Sequence, residues 1–311
     1  EYDADSNTLT LDNATLEEPY NLGAIFANGD LTIQVIGDNT INLTGNTAYG
    51  FQINGGSVTI KSDGSGSFVV NGPVTASNGN ITVDNCRLEV TSTTVAAVNA
   101  LQQGTTSECS VIIQNGADVT VNGGAAGIYA YNDVVVSGSS LTVKSVHATV
   151  NELGIYGAEQ IKISDSTVVA EVPSDSSYQA ILGNTIEISG SSDVKATGGI
   201  RAYDSTTITP ATGSVVDVKV GTREDGEKGA NHFLNSPYSE SVVLSADDGL
   251  SAYTYAHIQK HTHVFDQKIA DDTYKKSDAS CFEPAEYYYS CLCGAKGTET
   301  FSNGEAAGHT A

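Results

Sequence analysis

The sequence contains no Met and no Trp, only 6 Pro, and only 14 Lys and Arg against 37 Asp and Glu. Scarce basic residues leave a formal net charge of −23. We therefore expect no nucleic-acid partner and no attraction to anionic membrane surfaces. No apolar run is long enough to cross a bilayer, so we expect no direct membrane insertion. No signal peptide is visible, and because the chain starts at Glu1 without any Met, we expect it to be a piece of a longer protein.

The residues that are abundant favour strands and turns. Gly reaches 32 residues, and Asn, Ser and Thr are frequent, whereas only 16% of the chain is charged. Helical bundles depend on Leu, Ala, Glu and Lys, so this composition argues against them. It is typical of short strands separated by many turns.

An apolar-x-apolar triplet recurs along the chain at intervals of roughly 23 to 30 residues. Seven copies at this spacing begin at Leu31, Val58, Ile81, Val111, Val134, Ile161 and Ile186, with an earlier copy at Leu9 and a later, degraded one at Thr206. A fixed period of this length is the mark of a repeat architecture. Each period holds two further segments in which apolar and polar residues alternate, as expected for half-buried strands.

Three short strands per period predict a coil whose strands stack in parallel on their equivalents, about 4.8 Å away. Stacking of neighbouring coils would bury one continuous apolar core. The sequence therefore predicts an all-β fold, a right-handed single-stranded parallel β-helix of about ten coils over residues 1–257. A small His/Cys-rich β module follows over residues 258–311.

The C-terminal module has the residue types of a structural zinc site. The chain has five Cys, an odd number, and three of them crowd into this module, which argues against a disulfide framework. Thiolate and imidazole are the ligands that Zn²⁺ prefers. We predict His263, Cys281, Cys291 and Cys293 as ligands, although the spacing Cys-x-Cys is not the strong Cys-x-x-Cys. Alternatively, these are reduced thiols beside solvent-facing histidines.

Several motifs of this module follow one another in a characteristic order. They are His261-Thr262-His263, Cys281, Tyr287-Tyr288-Tyr289, Cys291 to Gly294 and a closing Gly308-His309-Thr310. This order resembles a short repeat common in surface proteins of Gram-positive gut bacteria. The preceding coils resemble the β-helical carbohydrate-binding and adhesin-type domains of the same kind of protein. The resemblance implies an extracellular protein attached to the cell surface.

Parallel β-helices also include polysaccharide lyases and hydrolases, which need clustered carboxylates. Four aspartates that each follow a first strand are candidates for a calcium site at one corner: Asp38, Asp63, Asp84 and Asp165. Alternatively, each of them makes a local Asx turn. No catalytic Ser/His/Asp or Cys/His grouping is recognisable, so the sequence favours a non-catalytic protein.

A strip of outward-facing aromatic residues is the candidate ligand-binding face. Aligning the coils on their first strands puts Tyr129, Tyr156, Ile181 and Arg201 in one column, with Tyr131 and Tyr203 in a neighbouring column. Exposed tyrosines beside an arginine offer sugar rings an apolar platform with hydrogen-bonding edges. Alternatively, outward aromatics only shield the sheet.

These observations predict a monomeric cell-surface adhesin or carbohydrate-binding β-helix that recognises an extended polysaccharide or a glycan of a host or neighbouring cell. Residues Tyr129, Tyr131, Tyr156, Arg201 and Tyr203 are its predicted glycan-binding strip. The first alternative is a polysaccharide lyase or glycoside hydrolase acting on acidic glycans, and the second is a passive surface spacer.

Overall fold

The computed structural model describes residues 1–18, 23–43, 50–93, 95–104, 108–145, 153–174, 178–223, 226, 230–235, 244–245 and 253–308. Within them the fold is all-β, and most of the chain forms a parallel β-solenoid with three strands in each coil. The predicted parallel β-helix is thus confirmed. None of these residues forms a helix that is long and apolar enough to cross a membrane.

The first strands of successive coils stack in parallel in one column. Six of them are separate strands: β2 (Thr8–Asp12), β5 (Leu31–Ile36), β8 (Val58–Ser62), β11 (Ile81–Asp84), β14 (Val111–Gln114) and β17 (Val134–Ser137). A two-residue strand, β1 (Tyr2–Asp3), pairs antiparallel with β2 at the N-terminal edge of this column.

The second strands form a separate sheet of parallel strands. They are β3 (Thr15–Glu18), β6 (Asp38–Leu43), β9 (Ser67–Asn71), β12 (Arg87–Thr91), β15 (Asp118–Gly123), β18 (Ser140–Ser145), β20 (Thr167–Glu171) and β22 (Asp193–Thr197). Phe68 is buried on this sheet and its neighbour Val70 packs beside it in the core, so alternate residues face inward as the period-two pattern predicts.

The third strands begin as separate elements and later merge with the first strand of the next coil. The separate ones are β4 (Ile25–Asn28), β7 (Phe51–Asn54), β10 (Val74–Ser77), β13 (Val98–Leu101) and β16 (Ala126–Ala130). The merged ones are β19 (Leu153–Ser164), β21 (Ile181–Gly190) and β23 (Ile200–Pro210). Through them the first and third columns join into one sheet.

The described coils number fewer than the ten that were predicted. The eight stacked third strands are linked by seven successive parallel pairings, which correspond to about seven complete turns. The count was too high because the chain reverses direction after β23. Antiparallel strands replace further coils: β24 (Val216–Gly221), β25 (Ala230–Leu234), β26 (Leu244–Ser245) and β27 (Tyr255–Lys260).

Strands β24, β25 and β27 close the C-terminal end of the second-strand sheet, whereas β26 pairs with β23 in the other sheet. Strand β27 pairs antiparallel with β22 on one side and with β24 on the other, and β25 completes the edge. Ile258 and Val218 are partners in this ribbon, and both belong to the solenoid core. Strand β27 therefore crosses residue 258, and the solenoid sheet extends to Lys260.

The C-terminal module is a small antiparallel sheet of four strands. They are β28 (Phe265–Gln267), β29 (Lys275–Ser277), β30 (Ala285–Cys291) and β31 (Lys296–Asn303). Strand β30 lies in the centre and pairs with the other three. The buried Tyr274 is the largest side chain inside the module. The closing His309 and Thr310 lie outside the described residues.

Candidate functional site

Four side chains converge where the solenoid meets the C-terminal module. The donor atoms of His261, His263, Cys291 and Cys293 all lie within 4.8 Å of one another. His261 Nε2 is 3.1 Å from Cys291 Sγ, and His263 Nδ1 is 3.3 Å from Cys293 Sγ. Among the described residues this is the group of His, Cys, Asp and Glu that can hold a metal ion.

The two histidines are positioned by the end of the solenoid ribbon. The backbone N–H of His261 donates to the Val215 carbonyl over 2.8 Å, which continues the pairing of β27 with β24 by one residue. In an extended segment, alternate side chains lie on one face, so His261 and His263 project together. Their rings are 5.0 Å apart, and the His263 ring stacks on Phe265.

The two cysteines are held by the tight turn between β30 and β31. Gly294 adopts a φ of +87°, and its N–H donates to the Cys291 carbonyl over 2.8 Å. Glycine suits this left-handed position because it has no Cβ. The buried Tyr274 hydroxyl donates to the Gly294 carbonyl over 3.0 Å and fixes the turn from below.

The surroundings of Cys291 favour its thiolate. Burial acts to raise the pKa of this thiol, but hydrogen bonds from the Cys293 N–H, His261 and His263 outweigh burial and lower the pKa to about 6. Burial and the neighbouring Cys291 sulfur raise the pKa of Cys293. A cysteine must be deprotonated to bind a metal, and a cation beside both sulfurs would favour the second thiolate as well.

The donor set fits a tetrahedral ion. At zinc bond lengths of about 2.3 Å to sulfur and 2.0–2.1 Å to nitrogen, four tetrahedral donors lie about 3.3–3.8 Å apart. The observed contacts of 3.1 and 3.3 Å and the 4.8 Å limit for the whole group require only small adjustments to reach that arrangement. All four ligands would come from the protein, as in structural rather than catalytic sites.

One predicted ligand lies outside this group, and a residue that was not predicted takes its place. Cys281 is exposed and precedes β30, whereas Cys291 ends β30. A strand of this length spans roughly 20 Å, so the two cysteines lie at opposite ends of the module. His261 completes the set instead. The sequence pattern that could have indicated His261 is the combination of His-x-His with Cys-x-Cys, because each pair presents two donors on one face.

Strand pairing brings most of the predicted glycan strip together. Tyr129 lies in register with Tyr156, and their ring centroids are 5.0 Å apart. Two coils further on, the Arg201 guanidinium lies over the Tyr203 ring, 5.3 Å from its centroid. Burial raises the pKa of Tyr156, and the charges of the neighbouring Tyr129 and Tyr203 hydroxyls raise it further.

Two rings of the strip are strongly exposed, and one position of the predicted column is occupied by a different residue. Tyr131 is 44% exposed and Tyr203 is 54% exposed, while Tyr129 and Tyr156 are half-buried. The residue that pairs with both Tyr156 and Arg201 is the buried Leu182, and not Ile181 as predicted. Ile181 points into the core because an irregularity makes the corner between Gly183 and Thr185 one residue shorter than in the neighbouring coils.

The four aspartates of the predicted calcium corner do not share a register. Asp84 is in register with Lys61, and Asp38 with Ser67. Each carboxylate accepts local or cross-coil hydrogen bonds, for example Asp63 from Ser65 over 2.6 Å and Asp165 from the Ser191 N–H over 2.9 Å. The structure places these residues as turn and corner acceptors and does not gather them around a common point.

Comparison with known proteins gives no match, because no family model, curated protein or solved structure is significantly similar to this chain. Function is therefore inferred from the fold, the His/Cys cluster and the tyrosine strip.

Proposed function

We propose that this chain is a non-catalytic, carbohydrate-binding β-solenoid of a cell-surface protein. The tyrosine strip, defined as Tyr129, Tyr131, Tyr156, Arg201 and Tyr203, is its binding face. The observation that carries the proposal is the contact of the Tyr129 and Tyr156 rings in adjacent coils, together with the Arg201–Tyr203 pair. A parallel β-solenoid is a scaffold compatible with such a face.

Aromatic rings suit sugars for a physical reason. A pyranose ring presents a row of C–H groups, which pack on the apolar face of an aromatic side chain. The phenol hydroxyls and the guanidinium remain at the edge, where they hydrogen-bond to sugar hydroxyls. Because successive coils are about 4.8 Å apart, the strip runs along the solenoid axis and suits an extended polysaccharide.

A glycan-array experiment tests this proposal, with and without Ca²⁺. We expect the wild type to bind at least one polysaccharide and the Tyr129→Ala/Tyr156→Ala double variant to lose tenfold or more in affinity, since each ring contributes about 1 kcal/mol. Phe26→Ala is the matched control. Phe26 is an exposed aromatic residue on the same strand column, near the N-terminal end, and its loss should leave binding unchanged.

The alternatives predict other outcomes of the same experiment. Depolymerisation of an acidic glycan would favour a lyase or hydrolase that uses the corner aspartates. Absence of binding to every glycan would favour a passive spacer. Equal losses in the double variant and in Phe26→Ala would show non-specific aromatic contact and contradict the proposed face.

We further propose that the metal centre holds Zn²⁺ in a structural role. Two thiolates and two imidazoles are a zinc ligand set, and four protein ligands leave no open position for a substrate. The module has few buried aliphatic residues, so a metal supplies cohesion that its core lacks. Metal analysis of protein purified under reducing conditions, with one equivalent of zinc expected, tests the identity of the ion.

We propose an extracellular, cell-surface location and a monomeric state on the basis of the sequence resemblance and the acidic charge. Charge repulsion at −23 keeps copies of the chain apart at low salt. Antibody labelling of intact cells tests the location, and light scattering of the purified chain tests the monomer. Labelling only after lysis, or a stable dimer, would contradict the respective statement.

A further inference from the structure

The metal centre takes its ligands from two structural units. His261 directly follows β27, a strand of the solenoid ribbon, whereas Cys291 and Cys293 belong to the β30–β31 turn of the C-terminal sheet. The buried cysteines also pack against Val215, which precedes β24 of the solenoid ribbon. An ion bound here would therefore bridge the solenoid and the module rather than the module alone.

A third contact extends this bridge deeper into the solenoid. Asp217 lies on β24, and its Oδ2 atom is 3.5 Å from His261 Nδ1. The Asp217 residue is 9% exposed, and its Oδ1 atom is buried without a hydrogen-bond partner. A buried carboxylate is costly unless it is paired, and at its Oδ2 atom the partner is the His261 ring.

The two ring nitrogens of His261 contact different partners. Nε2 faces the Cys291 sulfur, and Nδ1 faces the Asp217 carboxylate. Metal-binding histidines commonly donate their second ring N–H to a carboxylate, which fixes the tautomer and the ring orientation. With Nε2 on the ion, the proton must lie on Nδ1, the ring nitrogen that is 3.5 Å from Asp217 Oδ2. The arrangement matches an outer-shell carboxylate.

We propose that the metal ion is a clamp that fastens the C-terminal module to the end of the solenoid, with Asp217 as the positioning residue on the solenoid side. This inference rests on the proposed metal centre. When the ion binds, His261 is held in one orientation. Through His261 and Asp217 the ion is then connected to β27 and β24. Removal of the ion releases the two cysteines and leaves Asp217 without its oriented donor.

The test uses the full chain under reducing conditions. Zinc affinity is measured by competition with a chromophoric chelator, for the wild type and for Asp217→Asn. We expect one zinc per chain in both and a 10- to 100-fold weaker affinity in Asp217→Asn. Cobalt substitution adds a spectroscopic readout, since a reoriented imidazole shifts the d–d bands of a tetrahedral Co²⁺ centre.

The matched control is Asp193→Asn. Asp193 also pairs its carboxylate with an imidazole on the same sheet, with its Oδ1 atom 2.9 Å from His257 Nε2, and neither residue belongs to the His/Cys cluster. Its substitution should leave zinc affinity and the cobalt spectrum unchanged. An equal loss in both variants would indicate general weakening of the ribbon and would overturn the specific role of Asp217.

Hydrogen exchange on the wild type tests the clamp without any substitution. Chelation should raise amide exchange in β24 and β27 as well as in β30 and β31. Faster exchange confined to β28–β31, or an Asp217→Asn affinity within twofold of the wild type, would overturn the clamp while the metal centre stands. Failure of the wild type to bind zinc or cobalt would overturn both.

Discussion

Gly79 lies against the backbone carbonyl of Gly56 in the preceding coil, so closely that a Cβ atom on Gly79 would overlap it. Neither residue needs a left-handed φ, and the requirement for glycine is therefore the close approach of two coils at one corner. Cys109 follows at the equivalent position one coil later, two residues before its first strand.

Substitution of Gly79 tests how tightly this corner is stacked. We expect Gly79→Ala to lower the free energy of unfolding by about 3 kcal/mol, because the new methyl group forces the backbones apart. The measurement is urea unfolding followed by circular dichroism. Gly55→Ala is the comparison. Gly55 has open space around it, so its substitution should cost only the strain of a side chain at a left-handed φ, about 1 kcal/mol. Equal costs would contradict the proposed backbone contact.

The core should respond strongly to loss of an aromatic side chain. Phe68 is fully buried between coils, and Phe68→Ala should cost about 3–5 kcal/mol because it removes apolar burial and leaves a cavity. Phe26→Ala removes the same side chain from a position that is 54% exposed and should cost no more than about 0.5 kcal/mol. Denaturant unfolding of both variants gives the comparison, and similar values would show that Phe68 is not a core residue.

The identity of the metal ligands is open to a direct substitution test. Cys281→Ser should retain one zinc per chain with wild-type affinity, because Cys281 lies at the far end of β30 from the cluster. Cys291→Ser and His261→Ala should each weaken binding by more than the 10- to 100-fold expected for an outer-shell residue. Loss of zinc in Cys281→Ser with retention in His261→Ala would restore the ligand set predicted from sequence.

Alkaline pH should destabilise the solenoid through Cys86. Burial raises the pKa of this thiol to about 12 from an ordinary value of 9.0. The neutral buried thiol contributes its full stability below about pH 9, and the contribution declines as pH rises towards 12, since only the unfolded chain releases the proton. Between pH 8 and 10.5 the wild type should lose about 1–2 kcal/mol more than Cys86→Ala. Cys281→Ala, which removes an exposed thiol, should follow the wild type.

The repeat was predictable because local chemistry determines it. Residues such as Leu31, Ile33 and Val35 alternate with polar neighbours, and this alternation defines both the strand and its inward face. The reversal of the chain after β23 was not predictable in the same way. Pairing of Val216–Gly221 with Tyr255–Lys260 depends on contacts far apart in sequence, and antiparallel and parallel strands share one apolar pattern.

The candidate sites show the same division between local and distant information. The zinc-type residue set could be read from Cys291 and Cys293, but the exclusion of Cys281 needed the length of β30. The tyrosine column could be read from the repeat until a one-residue irregularity moved Ile181 into the core. Asp217 carries no sequence signal, because its meaning comes only from the ring of His261 beside it.

The antiparallel ribbon at the C-terminal end has a consequence for self-association. A bare parallel edge is a template on which the first coil of another copy can add, and repeated addition makes a fibre. Strands β24, β25 and β27 replace that template with a reversed ladder that ends on the short strand β25. The ribbon covers the free edge of β22, the last parallel strand of this sheet, so we expect it to hinder end-to-end addition of further copies.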